Sequence, residues 1–115
     1  MDLSIVIPSI RTENWKDLID SIEKSCQEFS YEIIFVGPKY NSYIDRFKSI
    51  KYVRDFGNPN RCQQIGMLIA EGDFVTWGSD DCMYTEGGID QCMGIASLCD
   101  DDTVLVANYN EGGNI

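Results

Sequence analysis

The chain has 115 residues, 43% hydrophobic and 24% charged, the proportions of an ordinary globular domain, which exclude collagen, coiled coil and a disordered chain. Its length suits one domain with a single modest core. The net charge is −10 and there is no histidine, so every His-dependent triad and every His-ligated metal site is excluded.

The charge is uneven. Residues 1–61 hold all nine Lys and Arg with nine acids, whereas residues 62–115 hold ten acids and no basic residue. Such a surface repels nucleic acid and anionic lipid and suits divalent cations or a basic partner, so no nucleic-acid partner is expected. For most of these carboxylates a solvated acidic surface is explanation enough. No apolar stretch is long enough to span a membrane, and no signal peptide is read at the start. The five cysteines include no Cys-x-x-Cys pair and read as small apolar residues of a reduced, cytoplasmic protein.

Leu3 to Ile7 is a continuous apolar run ended by Pro8, the pattern of a buried strand. Thr12 offers an N-cap, and Trp15, Leu18, Ile19, Ile22, Cys26 and Phe29 follow at helical spacing, which predicts an amphipathic helix over about 13–28. Tyr31 to Val36 is a second buried strand stopped by Gly37-Pro38. Residues 42–48 read as a short helix and 50–54 as a short strand. Asn58-Pro59 opens the next helix, with Asn as cap and Pro in the first turn, and Gly72 is its expected stop. Phe74 to Trp77 is a strand running straight into Gly78-Ser79-Asp80-Asp81. Residues 86–98 form a helix with Ile89, Cys92, Met93 and Ala96 on one face. Thr103 to Ala107 reads as a last strand and 108–115 as loop.

Strands alternating with helices predict an α/β fold, a mainly parallel sheet with helices on both faces. Ligands of such sheets bind beyond the carboxyl ends of the strands. Three segments reach that edge: Pro8-Ser9-Ile10-Arg11, Gly37-Pro38-Lys39 and Gly78-Ser79-Asp80-Asp81. Asp80-Asp81 is the most informative, because adjacent carboxylates repel unless solvent or a cation intervenes. Oxygen-only ligands suit Mg²⁺ or Mn²⁺, which bind through one or two carboxylates plus substrate phosphates. A plain polar turn is the competing reading of the pair. Asp100-Asp101-Asp102 lacks the spaced ligands of a calcium loop and reads as such a turn. Trp15 and Cys92 are core candidates.

Residues 70–81 (AEGDFVTWGSDD) resemble the stretch leading into the Asp-x-Asp motif of family-2 glycosyltransferases, which have the GT-A nucleotide-diphospho-sugar transferase fold. Residues 4–9 (SIVIPS) resemble that family's first strand and nucleotide-binding turn, and residues 58–66 (NPNRCQQIG) its Asn/Arg-rich helix start. The likeness runs from residue 3 to about 99. It implies a shortened GT-A-like domain over 1–115 that binds a UDP- or GDP-linked sugar with Mn²⁺ or Mg²⁺ and transfers the sugar, with inversion, to an acceptor hydroxyl. Asp81 would hold the metal, and Asp80 would contact the ribose or support the metal shell. Pro8, Ser9 and Arg11 would cradle base and ribose, and Arg61 would reach base or diphosphate. Surface charge is the competing reading of each arginine.

Two departures matter. Gly37-Pro38 stands where many members carry an acid after the second strand, which leaves the choice of base open. The catalytic base is unassigned: in the family it lies well downstream of Asp-x-Asp, whereas Glu86 and Asp90 read as ordinary acids at the start and on the surface of a helix. The chain is therefore expected to supply the nucleotide-binding half without an acceptor half. Self-association, most simply as a symmetric homodimer, is expected from the surface such a half would expose. The alternatives are a non-catalytic nucleotide-binding or assembly module of the same fold and a related nucleotidyltransferase. The latter expects a Gly-rich turn after the first strand, and residues 8–11 contain no glycine.

Overall fold

The structure, a computed structural model, describes residues 1–101 and 104. Four strands, β1 (Leu3–Pro8), β2 (Tyr31–Gly37), β3 (Ile50–Arg54) and β4 (Phe74–Trp77), alternate with three helices, α1 (Trp15–Ser25), α2 (Pro59–Ile69) and α3 (Gly88–Ala96). The strands lie in the order β3-β2-β1-β4, every pair parallel. The strand expected over 103–107 and the loop over 108–115 lie outside the described residues.

The two central strands are apolar along their length because both of their faces are covered. On one face Ile5, Ile7, Ile33 and Phe35 meet Trp15, Leu18, Ile19 and Ile22 of α1 and Ile89 and Met93 of α3. On the other, Val6, Ile34 and Val36 meet Cys62 of α2. Each fully buried aliphatic side chain contributes about 1.5–3 kcal/mol, so the larger α1 face dominates the core. Helix α2 comes close because its Gly66 has no side chain: a Cβ there would lie 2.3 Å from Val6 Cγ1. Trp15 is fully buried and stacks on Phe35 with ring centroids 4.1 Å apart. Cys92, expected in the core, is only half-buried and belongs to neither buried cluster.

Several boundaries differ from the sequence reading for local reasons. Thr12–Asn14 is a turn of 3-10 helix, and α1 itself begins at Trp15 and ends at Ser25. Thr12 is not a side-chain cap; Asn14 precedes α1, and its amide is engaged elsewhere, on the carbonyl of Asp80. Residues 42–46 are likewise 3-10. Helix α2 starts as expected, Asn58 Oδ1 accepting from the Arg61 amide at 2.9 Å, but stops at Ile69, before Gly72. Gly72 instead lets the chain pass beside β1, since a Cβ there would be 2.6 Å from the Leu3 carbonyl carbon. Helix α3 is entered through Gly87, whose φ of +71° favours glycine. Among the described residues β4 is an edge strand, and its Phe74, Val75 and Trp77 are exposed.

A buried acid inside β2 organises the opposite end of the sheet. Glu32 is 1% exposed. Its Oε2 accepts from Ser4 Oγ at 2.6 Å and from the Glu71 amide at 2.7 Å, and its Oε1 lies 2.8 Å from Lys51 Nζ. Ser4 Oγ in turn accepts from the Gly72 amide at 2.8 Å. Burial alone would push this carboxyl up; Lys51, Ser4 and the Glu71 amide outweigh it and hold it below the ordinary glutamate range. A carboxyl depressed in the folded state contributes stability above its unfolded pKa, and that stability is lost as pH falls through the folded value. Acid titration of the parent should therefore lower the thermal midpoint. Glu32→Gln should remove the share of this loss that Glu32 contributes, leaving that of the other depressed carboxyls such as Asp80. Lys51→Met should be the more damaging change at neutral pH, costing about 3 kcal/mol, because it strands a buried charge. Thermal unfolding of both variants across the acid range checks the order.

Candidate functional site

Because all the strands are parallel, their carboxyl ends share one edge, and the chain reverses its direction of travel there between β1 and β4. A cleft of about 360 Å3 opens at this edge. Its walls are Pro8, Ser9, Ile10 and Arg11 after β1; Val36, Gly37 and Pro38 at the end of β2; Gly57, Pro59, Cys62 and Gln63 around the start of α2; and Gly78, Ser79 and Asp80 after β4. The three segments expected at the edge thus meet in one place, although Lys39 and Asp81 are outside the lining.

Ser9 lies at the centre of the walls. Its amide donates to the Val36 carbonyl at 2.9 Å and its hydroxyl to Asp80 Oδ2 at 3.0 Å. The Trp15 indole N–H donates to the same hydroxyl oxygen at 2.7 Å. Asp80 Oδ2 also accepts from the amides of Ile10, at 2.9 Å, and Arg11, at 2.8 Å. Its Oδ1 pairs with Arg11 Nη1 at 2.8 Å, the Asp80 side chain being 4% exposed and that of Arg11 49%. Burial raises the Asp80 carboxyl, but the two amides, the Ser9 hydroxyl and the guanidinium together hold it below the ordinary aspartate range.

Asp81 is different. It is exposed, and its Oδ1 accepts from Ser79 Oγ. That hydroxyl is the chief reason its carboxyl is also lowered, with the Cys82 thiol and the nearby Arg11 charge adding to it. Among the described residues no group of three or more His, Cys, Asp or Glu is placed to hold a metal. Asp81 alone offers one exposed carboxylate beside the cleft. That donor set fits Mg²⁺ or Mn²⁺ when substrate phosphates supply further oxygens.

The structure brings Pro8, Ser9, Arg11 and Asp80 together and leaves Arg61 outside the lining. Arg61 Nε lies 3.2 Å from both oxygens of Asp55, whose Oδ2 also accepts from the Gly57 amide at 2.9 Å. Sequence reasoning missed Asn14 and Trp15 as supports of the loop and Asp55 at the end of β3. Asp55 had a usable signal, since it follows the strand over 50–54 as Asp80 follows β4. Asn14 and Trp15 had none beyond their polar ends.

The architecture is that of a GT-A-like fold. Among solved structures, the chain is similar to S. aureus TarS 1-349, with a TM-score of 0.72 and 18% identity over 85% of this chain and 33% of that one. It is similar to TarS 1-349 in complex with UDP, with a TM-score of 0.65 and 20% identity over 84% of this chain and 32% of that one. It is also similar to a further S. aureus TarS structure, with a TM-score of 0.71 and 18% identity over 85% of this chain and 20% of that one. The chain spans about a third of the length of TarS 1-349. No family model and no curated protein matches it. Among the described residues no helix is long and apolar enough to cross a membrane.

The missing acid after β2 has a steric reason. A Cβ on Gly37 would lie 1.9 Å from the Ser9 carbonyl oxygen, so no side chain fits there while the loop after β1 keeps its place. Gly37→Ala is expected to cost about 1–3 kcal/mol and to displace residues 8–11, as overpacking against backbone does. Urea denaturation measures the loss, and a midpoint equal to the parent's would contradict the close approach.

Proposed function

We propose that this cleft binds a nucleotide-diphospho-sugar, UDP- or GDP-linked, and that the chain is the nucleotide-binding part of an inverting glycosyltransferase of family-2 type. One observation carries the reading: the loop after β4, with Asp81 exposed, closes on the loop after β1 beside a cleft of mixed polarity at the carboxyl edge of a GT-A-like sheet. The likeness to a structure solved with UDP supports it. In this reading Pro8 and Arg11 face the nucleoside, and the buried Ser9 holds their loop from behind through Asp80 and Trp15. The solvent-facing side of the Arg11 guanidinium favours the diphosphate. Arg61 reaches it only by leaving Asp55. Asp81 would hold Mn²⁺ or Mg²⁺, which when bound stabilises the charge that develops on the departing diphosphate. The acceptor and its general base are not assigned to any described residue.

Calorimetry with UDP and GDP, with and without Mn²⁺, tests this proposal. Binding should tighten with Mn²⁺. Asp81→Asn should cut the Mn²⁺-dependent gain about tenfold or more, as loss of a metal-supporting group does, with the fold intact by circular dichroism. Asp101→Asn, on an exposed turn, should change nothing. A parent protein that binds neither nucleotide in the presence of Mn²⁺, or an Asp81→Asn variant indistinguishable from it, would overturn the reading.

A further inference from the structure

Asp80 occupies a position where a nucleotide contact is expected, yet its carboxylate is engaged within the protein. Three donors, the Ser9 hydroxyl and the Ile10 and Arg11 amides, converge on Oδ2, and the Arg11 guanidinium takes Oδ1. With three donors on Oδ2 and the guanidinium on Oδ1, four donors match the roughly four acceptor sites of the carboxylate and leave none for a ribose hydroxyl. The backbone of the same residue is also held, by Asn14 Nδ2 on its carbonyl at 2.9 Å. The network reaches the core through Trp15 Nε1, which donates to Ser9 Oγ at 2.7 Å. Ser9 and Asp80 stand 71 positions apart in sequence, so this contact fixes two otherwise independent loops to one another.

We propose that Asp80 is a positioning residue that locks the loop after β1, which carries Ser9 and Arg11, onto the loop after β4, which carries Asp81. The consequence is energetic coupling: a cation at Asp81 and a nucleotide against residues 8–11 act on one rigid unit, so each binds better when the other is present. This inference rests on the nucleotide reading of the cleft for its ligand, though not for the loop contact itself. A role in stability alone would give no coupling. Asp90 supplies the control, because its carboxylate also accepts backbone amides, from Gln27 at 3.0 and 2.9 Å and from Glu28 at 3.0 Å, and it lies outside the cleft lining.

The test uses the full chain with Asp80→Asn and Asp90→Asn. Two readouts are taken on the empty protein: amide hydrogen exchange at Ile10 and Arg11, and the indole N–H resonance of Trp15. A third is the ratio of UDP affinities with and without Mn²⁺. In Asp80→Asn, exchange at Ile10 and Arg11 should accelerate about tenfold or more as the local contact opens, and the Trp15 resonance should move. The Mn²⁺ ratio should fall towards one although Asp81 is untouched. Asp90→Asn should lower the thermal midpoint and leave all three readouts at parental values. Parental exchange and resonance in Asp80→Asn would overturn the proposal. So would an equal loss of UDP affinity with and without Mn²⁺, which marks a direct ligand contact. If Asp80→Asn does not fold, Ser9→Ala, which deletes one donor to Oδ2, should still speed exchange at Ile10 and Arg11, and parental exchange there would count against the idea. A parent that binds no UDP defeats the nucleotide reading alone, and exchange and resonance then decide whether Asp80 holds the loop.

Discussion

A buried carboxylate closes each end of the sheet, and the loops take their places from these two groups. Glu32 gathers the Ser4 hydroxyl and the Glu71 amide at the amino end. Asp80 gathers the amides and hydroxyl of residues 9–11 at the carboxyl end. The chemistry explains the choice of residue. Where a parallel strand ends, the backbone turns away and leaves amides without ladder partners, and a carboxylate accepts several at once. The cost of burying a charge is met differently at the two ends. Glu32 has Lys51, a half-buried cation with a flexible stem, at 2.8 Å. Asp80 has an arginine whose own backbone amide it also holds. The second arrangement fixes a guanidinium in place, which suits an edge where ligands bind more than an edge that only has to be closed.

Strand order converts these local ties into a site. The chain steps from β1 to β2 to β3 in one direction and returns across the sheet to β4, so α1 and α2 cover opposite faces. Neither helix shields the carboxyl end of β1, and a crevice is left there, as in other sheets with such a reversal. Helix α2 adds its first turn to the crevice wall because Gly66 lets it settle directly on Val6. Among the described residues β4 is left at the edge, and its exposed Trp77 leads straight into the Ser79-Asp80-Asp81 turn.

Much of this was legible in the sequence, and the rest was hidden for physical reasons. The unbroken apolar runs over 3–7 and 31–36 announce strands covered on both faces, and Asn58-Pro59 announces a helix start. The acids at 80 and 81 announce themselves by following a strand. Which of the two turns inward is not written in the pair itself; it depends on two amides and a hydroxyl 69 to 71 positions earlier that need an acceptor. Glu32 was masked in the same way, as one acid in an apolar run whose partners Ser4, Lys51 and Glu71 lie on three other segments. The start of α1 moved from about residue 13 to Trp15, and Arg11 and Asn14 before it answer to Asp80. Where tertiary hydrogen bonds compete with a local cap, local propensity yields.

The absence of a side chain at residue 37 and the burial of Asp80 belong to one constraint. Asp80 draws the loop after β1 from the β4 side, through the Ser9 hydroxyl and two amides. On the β2 side the Ser9 amide bonds the Val36 carbonyl at 2.9 Å, and its own carbonyl lies where a Cβ on residue 37 would have to be. Only glycine at 37 admits the loop that far, and only an acceptor as strong as a carboxylate holds it there. The carbonyl of Gly37 takes the Tyr52 hydroxyl at 2.7 Å and the Asp55 amide at 3.0 Å, so β3 is tied into the same corner. With backbone fixed on both flanks, what residues 9–11 turn outward is limited to the exposed Ile10 and the outer half of Arg11. The cleft is thus shaped by backbone that cannot easily shift, and its few outward side chains carry whatever selectivity it has.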